Sequence, residues 1–322
     1  MIKCSILFVF IFIFIFVFIF IFAFVFIFLE HIMPTISILT YNILSQNLAE
    51  LMLSEVKDGK EVYKPSVMNE SNRWQQISNI ILSHIINSNK QLELDNLVIC
   101  LQEVTEEWVP RFAELFSSVN YSYINIQHGR VFNGNMGVLI AWPKTLNIVK
   151  SEFYTVGQHI IVTDDNSKLS ASKSNIAILL LLENPSINFK FGVVTYHMPL
   201  EPKIPHISMS HAKVLMKKIL KFMALDTYFF AGDFNITPDT RTYNYLSSVN
   251  NCIWSTFFNA YPITNHAHIK GYEFSGCLDY IFYSNNGNIK CDDVKVEKVN
   301  GIMPNNDHPS DHIPIYAKFR LI

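Results

Sequence analysis

The stretch that most constrains this chain is Phe230-Ala-Gly-Asp-Phe-Asn235. It is entered from the apolar run Tyr228-Phe229-Phe230 and left through Ile236-Thr237-Pro238-Asp239. Apolar residues running into Gly-Asp-x-Asn read as a buried strand that ends in two polar side chains. Residues two apart in an extended chain point the same way, so Asp233 and Asn235 are expected to face one spot while Phe234 packs on the other side. Thr237-Pro238 reads as a helix start, with Thr as N-cap and Pro at the first helical position. A carboxylate and an amide at the carboxyl end of a strand, beside a helix start, suit phosphate chemistry. They equally suit an Asx-type turn between strand and helix. This stretch alone leaves both open.

The same pattern recurs along the chain. Apolar strands deliver Asn42 after Ile38-Leu-Thr-Tyr, Glu103 after Ile99-Cys-Leu-Gln, and His197 after Val193-Val-Thr-Tyr. Asp279 stands before Tyr280-Ile, and Asp311-His312 lies in Pro309-Ser-Asp-His-Ile-Pro314. The flanking prolines favour an irregular loop, in which two adjacent side chains can converge. Carboxylates and an amide without cysteine make a hard oxygen site suited to Mg²⁺, with Mn²⁺ as a substitute. Histidine is the usual proton handler near neutral pH. Together these groups suit in-line attack of water on a phosphodiester.

Between these points short apolar runs alternate with helical patterns. Strands are expected at 35–41, 96–102, 121–126, 136–142, 146–154, 176–183, 188–196, 228–232, 278–283, 290–298 and 313–321. Helices are expected at 72–86, from Thr105 onward, and at 206–224. Residues 43–68 read as an irregular excursion, and Tyr261 to Ser275 as an irregular, substrate-facing loop. The pattern implies two packed sheets with helices outside, in one domain spanning 33–322. Trp74, Trp108, Trp142 and Trp254 are expected in the core, with base stacking as the alternative. His206, His211, His266 and His268 are expected at the surface. Cys100 sits in an apolar run and reads as a small buried side chain.

Composition narrows the partners. The chain has 25 Lys+Arg against 27 Asp+Glu, which leaves no electrostatic footprint for long duplex nucleic acid but allows a short substrate in a cleft. Binding should show only modest salt dependence. The five cysteines have no paired spacing, which argues against a disulfide or zinc framework.

Here the set Thr-Tyr-Asn, Leu-Gln-Glu, Gly-Asp-Phe-Asn, Leu-Asp-Tyr-Ile and Ser-Asp-His, in that order, resembles the endonuclease/exonuclease/phosphatase superfamily. The flanks Thr40-Tyr-Asn-Ile-Leu-Ser-Gln-Asn-Leu48, the helix bearing Arg73, Ile99-Cys-Leu-Gln-Glu-Val104 and Leu278-Asp-Tyr-Ile-Phe-Tyr-Ser284 are similar to the Angel/nocturnin/carbon-catabolite-repressor deadenylase branch. The resemblance implies a four-layer α/β/β/α sandwich, two mixed sheets flanked by helices, and Mg²⁺-dependent hydrolysis of phosphoesters, foremost at the 3′ end of poly(A)-like RNA. By position it implies Glu103 as metal ligand with Asn42 and Asp311 beside it. Asp233 would orient or deprotonate the attacking water. Asn235 would hold the phosphate, and His197 would contact it or assist the leaving group. His312, supported by Asp279, would stabilise the transition-state oxygens. Arg130 and Asn135 are expected to contact substrate. The chain departs from the branch at Val194-Thr-Tyr-His197, where relatives usually read Asn-Thr-His-Leu, and at Asn133-Gly-Asn-Met-Gly137, where they usually carry Asp-Gly. Those departures open the substrate, not the reaction class. The alternatives are another phosphoesterase of the same fold (a nucleotide or RNA-end phosphatase, a DNA-end repair phosphodiesterase or a phospholipid hydrolase) or an inactive RNA-binding module. Nothing points to a protein partner.

Residues Ile6 to Leu29 are 24 consecutive apolar residues. As a helix they would span roughly 36 Å, enough to cross a bilayer. The run is longer than a signal-peptide core and reads as a single-pass anchor within a hydrophobic segment 1–32. It is also a low-complexity Ile-Phe alternation, and Met33 would make a natural start. Asn235-Ile-Thr237 is a glycosylation sequon at the candidate site, which favours a cytosolic catalytic domain. Sequencing the amino terminus of the expressed protein separates the two readings: Met33 as first residue excludes the anchor, and an intact run 6–29 supports it.

Overall fold

The computed structural model describes Phe18, Phe20 and residues 35–53, 56–57, 60–61, 69–90, 95–224, 227–257, 260–269 and 272–322. The anchor reading of 6–29 therefore lies almost wholly outside the described residues. Among the described residues no helix is long and apolar enough to cross a membrane.

Six strands form the first sheet. They are β1 (Thr35–Asn42), β2 (Asp95–Val104), β3 (Tyr121–Gln127), β4 (Gly137–Pro143), β13 (Ile289–Val296) and β14 (Ile315–Leu321), in the order β13-β14-β1-β2-β4-β3. The second sheet has the order β9-β12-β8-β7-β6-β5. Its members are β5 (Asn147–Thr155), β6 (Ile176–Asn184), β7 (Phe189–His197), β8 (Tyr228–Asp233), the short β9 (Asn251–Cys252) and β12 (Asp279–Tyr283). The inner strands of the first sheet split their side chains between two interiors, because alternate residues face opposite ways. Ile36, Ile38, Val98 and Cys100 enter the core between the sheets. Leu39, Tyr41, Leu97 and Ile99 face the helices α2 (Glu70–Lys90) and α3 (Val109–Ser118), whose apolar stripes Ile77, Ile81, Ile85 and Phe112, Phe116 complete a second core. On the far side α5 (Pro205–Met223) buries Ile207, Ala212, Leu215, Met216 and Ile219. The four-layer sandwich expected from the sequence is the observed fold.

Both sheets contain one parallel pair, β1 with β2 and β7 with β8. The carboxyl ends of a parallel pair lie at the same edge. An antiparallel neighbour begins there: β12 beside β8, and β14 beside β1. Stacking the two sheets brings four strand ends and two strand starts to one rim.

Several expectations need correction. Residues 46–53 form helix α1 (Gln46–Leu53) within the supposed excursion. The helix expected at Thr237-Pro238 begins later, as α6 (Arg241–Val249), with Thr240 as N-cap accepting from the Tyr243 amide. Asp239 draws Thr237 into a turn instead, through the Thr237 hydroxyl. Between β5 and β6 lies a short helix α4 (Asp165–Ala171), capped by Asp164, which has no apolar stripe to mark it in the sequence. After β9 comes the five-residue helix α7 (Ile253–Phe257). The supposed loop 261–275 contains a hairpin, β10 (Asn265–Ile269) and β11 (Tyr272–Gly276). Trp108, Trp142 and Trp254 are buried, and Trp74 packs edge-on to Trp108 and Phe112.

His211 is also not a surface residue. It is fully buried in α5, 2.6 Å from the Tyr196 hydroxyl through Nδ1 and 2.9 Å from the Ser170 carbonyl through Nε2. The carbonyl can only accept, so Nε2 carries the proton. Burial pulls the imidazole pKa down to about 4 from 6.5. The unfolded chain therefore takes up the proton first as pH falls. His211 stabilises the fold fully above pH 6.5, and that contribution drains between pH 6.5 and 4 by up to about 1.4 kcal/mol per pH unit. Thermal unfolding should occur at lower temperature at pH 5 than at pH 7, and His211→Gln should shrink that difference. An undiminished difference in the variant would place the effect elsewhere.

Candidate active site

Glu103 is positioned by a β-bulge. The register between β2 and β4 shifts between Gln102 and Val104, and Glu103 itself has φ of 60°. A bulge inserts one residue and re-aims its side chain, and here it turns a carboxylate toward the rim. Its Oε1 accepts from Asn42 Nδ2 at 2.9 Å and its Oε2 from the Ser45 amide at 3.0 Å. The neighbouring Gln102 joins the sheets by donating to Thr195 Oγ1 at 2.9 Å.

Asn42 is the hub. Its Nδ2 also donates to Asp233 Oδ2 at 3.0 Å, while its Oδ1 accepts from the Leu44 amide at 3.0 Å. Both ends of the amide are thereby determined: the NH₂ faces two carboxylates and the oxygen faces a backbone N–H. In this arrangement Asn42 orients Glu103 and Asp233.

Asp233 ends β8. The strand does not continue to Asn235, which has φ of 49°. The chain turns, and Asp233 Oδ1 accepts from the Asn235 amide at 2.8 Å. The Asx turn and the site are therefore both present, one on each oxygen of the carboxylate. Asn235 donates through Nδ2 to the Met198 carbonyl at 2.9 Å, and Phe234 packs edge-on to Phe230, Tyr280 and Phe282. Gly232 is required by close approach, since a Cβ there would meet the Tyr196 carbonyl oxygen at 2.1 Å.

His312 Nδ1 lies 2.8 Å from Asp279 Oδ2, and its Nε2 lies 3.6 Å from Asp233 Oδ2. His197 Nε2 is 3.5 Å from the same Asp233 oxygen and 3.8 Å from Glu103 Oε1. Asp279 is braced by Thr264, whose hydroxyl accepts from the Leu278 and Asp279 amides, and by the Trp254 indole on its carbonyl. The hairpin continues this support: Asn265 bridges His312, and the His266 amide donates to the Asp311 carbonyl. Asp311 is buried, with the Ser310 hydroxyl 3.5 Å from its carboxylate. Two residues expected at the site stand apart from this cluster. Arg130 is exposed, and Asn135 donates to Glu106 at 2.7 Å. Their loop does flank the site, since His128 lies edge-on to His197 with ring centroids 6.3 Å apart.

Burial pushes the Asp233 carboxyl above its ordinary range, with His312 opposing and Asp279 reinforcing. Asp311 is raised too, by burial, with His312 opposing and the charges of Glu103 and Asp233 adding. Burial works against protonation of His312, but Asp279, Asp233 and Asp311 outweigh it and hold its pKa well above the ordinary value. Among the described residues two groups could hold a metal ion: Glu103, His197 and Asp233, and Asp233, Asp279 and His312, each with donor atoms within 4.8 Å. The donor set fits a hard divalent cation. It is oxygen-rich and free of cysteine, and its crowded carboxylates are relieved by a positive charge.

A buried carboxylate cluster with a His-Asp pair, at the rim of a four-layer sandwich, defines a phosphoester hydrolase. Residues 39–312 match the model of the endonuclease/exonuclease/phosphatase family, and the chain belongs to that family. It is 24% identical to carbon catabolite repressor protein 4 homolog 4 of Arabidopsis thaliana, over 88% of this chain and 77% of that protein. It is 22% identical to the CCR4-Not complex 3′-5′-exoribonuclease subunit Ccr4 of Schizosaccharomyces pombe, over 88% of this chain but only 49% of that protein. Among solved structures, ANGEL2, described as a 2′,3′-cyclic phosphatase, superposes with a TM-score of 0.71 at 19% identity, covering 90% of this chain and 96% of that one. The human nocturnin catalytic domain superposes at 0.65 and 19%, covering 90% and 94%.

Because Asp279 sustains the proton on His312, Asp279→Asn should lower the His312 pKa. Activity should then fall off at lower pH on the alkaline side than in the wild type. A pH–rate profile with an unmoved alkaline limb would separate Asp279 from the charge state of His312.

Proposed function

We propose that the protein is a Mg²⁺-dependent 3′-5′ exoribonuclease acting on poly(A)-like RNA. The observation that carries the reading is the bridging of Glu103 and Asp233, from two different sheets, by one Asn42 amide, beside the His312–Asp279 pair. The names of the related carbon-catabolite-repressor proteins supply the substrate class.

In this reading Glu103, with Asp311 close by, would hold the Mg²⁺, and Asn42 would keep Glu103 and Asp233 in register. Bound there, Mg²⁺ supplies positive charge against the phosphoryl oxygens as negative charge develops on them. Asp233 takes the proton of the attacking water. The Asn42 amide and the Asn235 backbone N–H hold its two oxygens in place for that step. His312, kept protonated by Asp279, donates to a non-bridging oxygen and stabilises the transition state. Asn235 and His197, both beside Asp233, would hold the phosphate and assist the leaving oxygen. Arg130 and Asn135, on the loop after β3, would meet nucleotides next to the scissile bond. Residues 33–322 would form the whole catalytic unit.

The protein should shorten a 3′-oligo(A) RNA from its 3′ end and stop when EDTA is added. Glu103→Ala and Asp233→Asn should each lower kcat by about 10²-fold or more. Intact oligo(A) alongside cleavage of a 2′,3′-cyclic phosphate or another phosphoester would keep the reaction class and replace the substrate. Tight RNA binding without any hydrolysis would replace both with a binding role.

A further inference from the structure

We propose that Arg73 is a positioning residue that sets the geometry of the candidate site by tying together the two loops that build one side of it. Arg73 is fully buried on α2 and makes four hydrogen bonds. Its Nε donates to the Pro309 carbonyl at 2.8 Å and Nη1 to Gln46 Oε1 at 2.7 Å. Nη2 donates to the Ile43 and Leu44 carbonyls at 2.7 and 2.6 Å. The guanidinium lies over the Trp108 ring, 5.3 Å from its centroid. It touches none of the reacting groups, yet every acceptor belongs to a segment that carries one.

The two routes are explicit. Drawing the Ile43 and Leu44 carbonyls onto one nitrogen requires a sharp bend, and Leu44 pays with φ of 54°. Non-glycine residues hold that conformation only where the surroundings impose it. The bend presents the Leu44 amide to Asn42 Oδ1 and the Ser45 amide to Glu103 Oε2. On the other route, the Pro309 carbonyl fixes the start of Ser310-Asp311-His312. The Ser310 hydroxyl donates to the Asn42 carbonyl at 2.7 Å and accepts from the His312 amide at 3.2 Å. One planar fork thus registers Asn42 and Glu103 against Asp311 and His312. Lysine presents a single point charge and cannot reproduce four donors in fixed directions. Burial lowers the Arg73 pKa only to about 10, so the group remains charged, and Asp311 and Glu103 are among the groups that hold the charge on it.

This inference rests on reading the site as a metal-dependent phosphodiesterase, and its test separates the two. Wild type, Arg73→Lys, Arg73→Gln and Gln46→Ala are compared on oligo(A) RNA, below each variant's unfolding temperature. Hydrogen exchange is followed in the metal-free proteins. Arg73→Gln should lower kcat by about 10²-fold with KM nearly unchanged, and should raise the Mg²⁺ concentration for half-activity. Arg73→Lys should fall between it and the wild type. Gln46→Ala, which removes one acceptor, should lower kcat by about threefold to tenfold. Exchange should quicken at 43–46 and 308–312 while β6 and β7 stay protected. Wild-type kcat and Mg²⁺ dependence in the Arg73 variants, or exchange that quickens uniformly across the protein, would overturn the proposal. If Arg73→Gln does not fold, Gln46→Ala decides, and wild-type behaviour there overturns it. If the wild type leaves RNA intact, the substrate reading fails while the exchange pattern still tests the role of Arg73.

Discussion

Four carboxylates, those of Glu103, Asp233, Asp279 and Asp311, are buried within one rim. Isolated charges of this kind are costly to desolvate, and like charges close together cost more. The surrounding structure is organised to offset that cost. Glu103 and Asp233 share the Asn42 amide, Asp279 holds His312, and backbone amides of Ser45 and Asn235 complete two of the carboxylates. Arg73 adds a buried positive charge behind the same wall. The remaining strain appears as raised carboxyl pKa values, which is the condition that a divalent cation relieves.

This arrangement explains why the fold has two sheets with one parallel pair in each. A single parallel pair presents two strand ends at one edge. Face-to-face stacking doubles that number, and the antiparallel neighbours add Asp279 and Asp311-His312 from strand starts at the same edge. The groups come from rigid strands, so their separations are set by sheet geometry. The helical and hairpin elements refine them. Arg73 on α2 anchors one pair of loops, while Thr264 and the hairpin brace the other side through Asp279 and Asp311.

Much of this was legible in the chain. The strand carrying Val193-Val-Thr-Tyr ends at His197 as read, because a fully apolar run bounded by a polar residue has few other fates. The strand leading to Asp233 is equally plain, but it stops there instead of continuing to Asn235. An extended chain would have placed Asn235 beside Asp233, but the Asp233 carboxylate captures the Asn235 amide and turns the backbone. Local capture of this kind competes with extension at the end of a strand, and residue type alone does not rank the two. The short helices α1 and α4 leave little signal in the sequence because short helices lean on neighbours more than on their own periodicity. His211 is buried, not exposed, for a related reason: its partners, Tyr196 and Ser170, are set by packing between α5, β7 and α4.

The sequence by itself determined the layered architecture, the chemical type of the site and its membership in a family, because apolar periodicity and strand-end residues are local signals. Tertiary structure alone decided which way each polar group faces. It turned the Asn42 amide with its NH₂ toward two carboxylates, re-aimed Glu103 through a bulge, and made Arg73 a clamp. Those outcomes depend on partners 27 to 236 positions away in the chain. Such pairs meet only after both sheets have stacked, so no local pattern could encode their geometry.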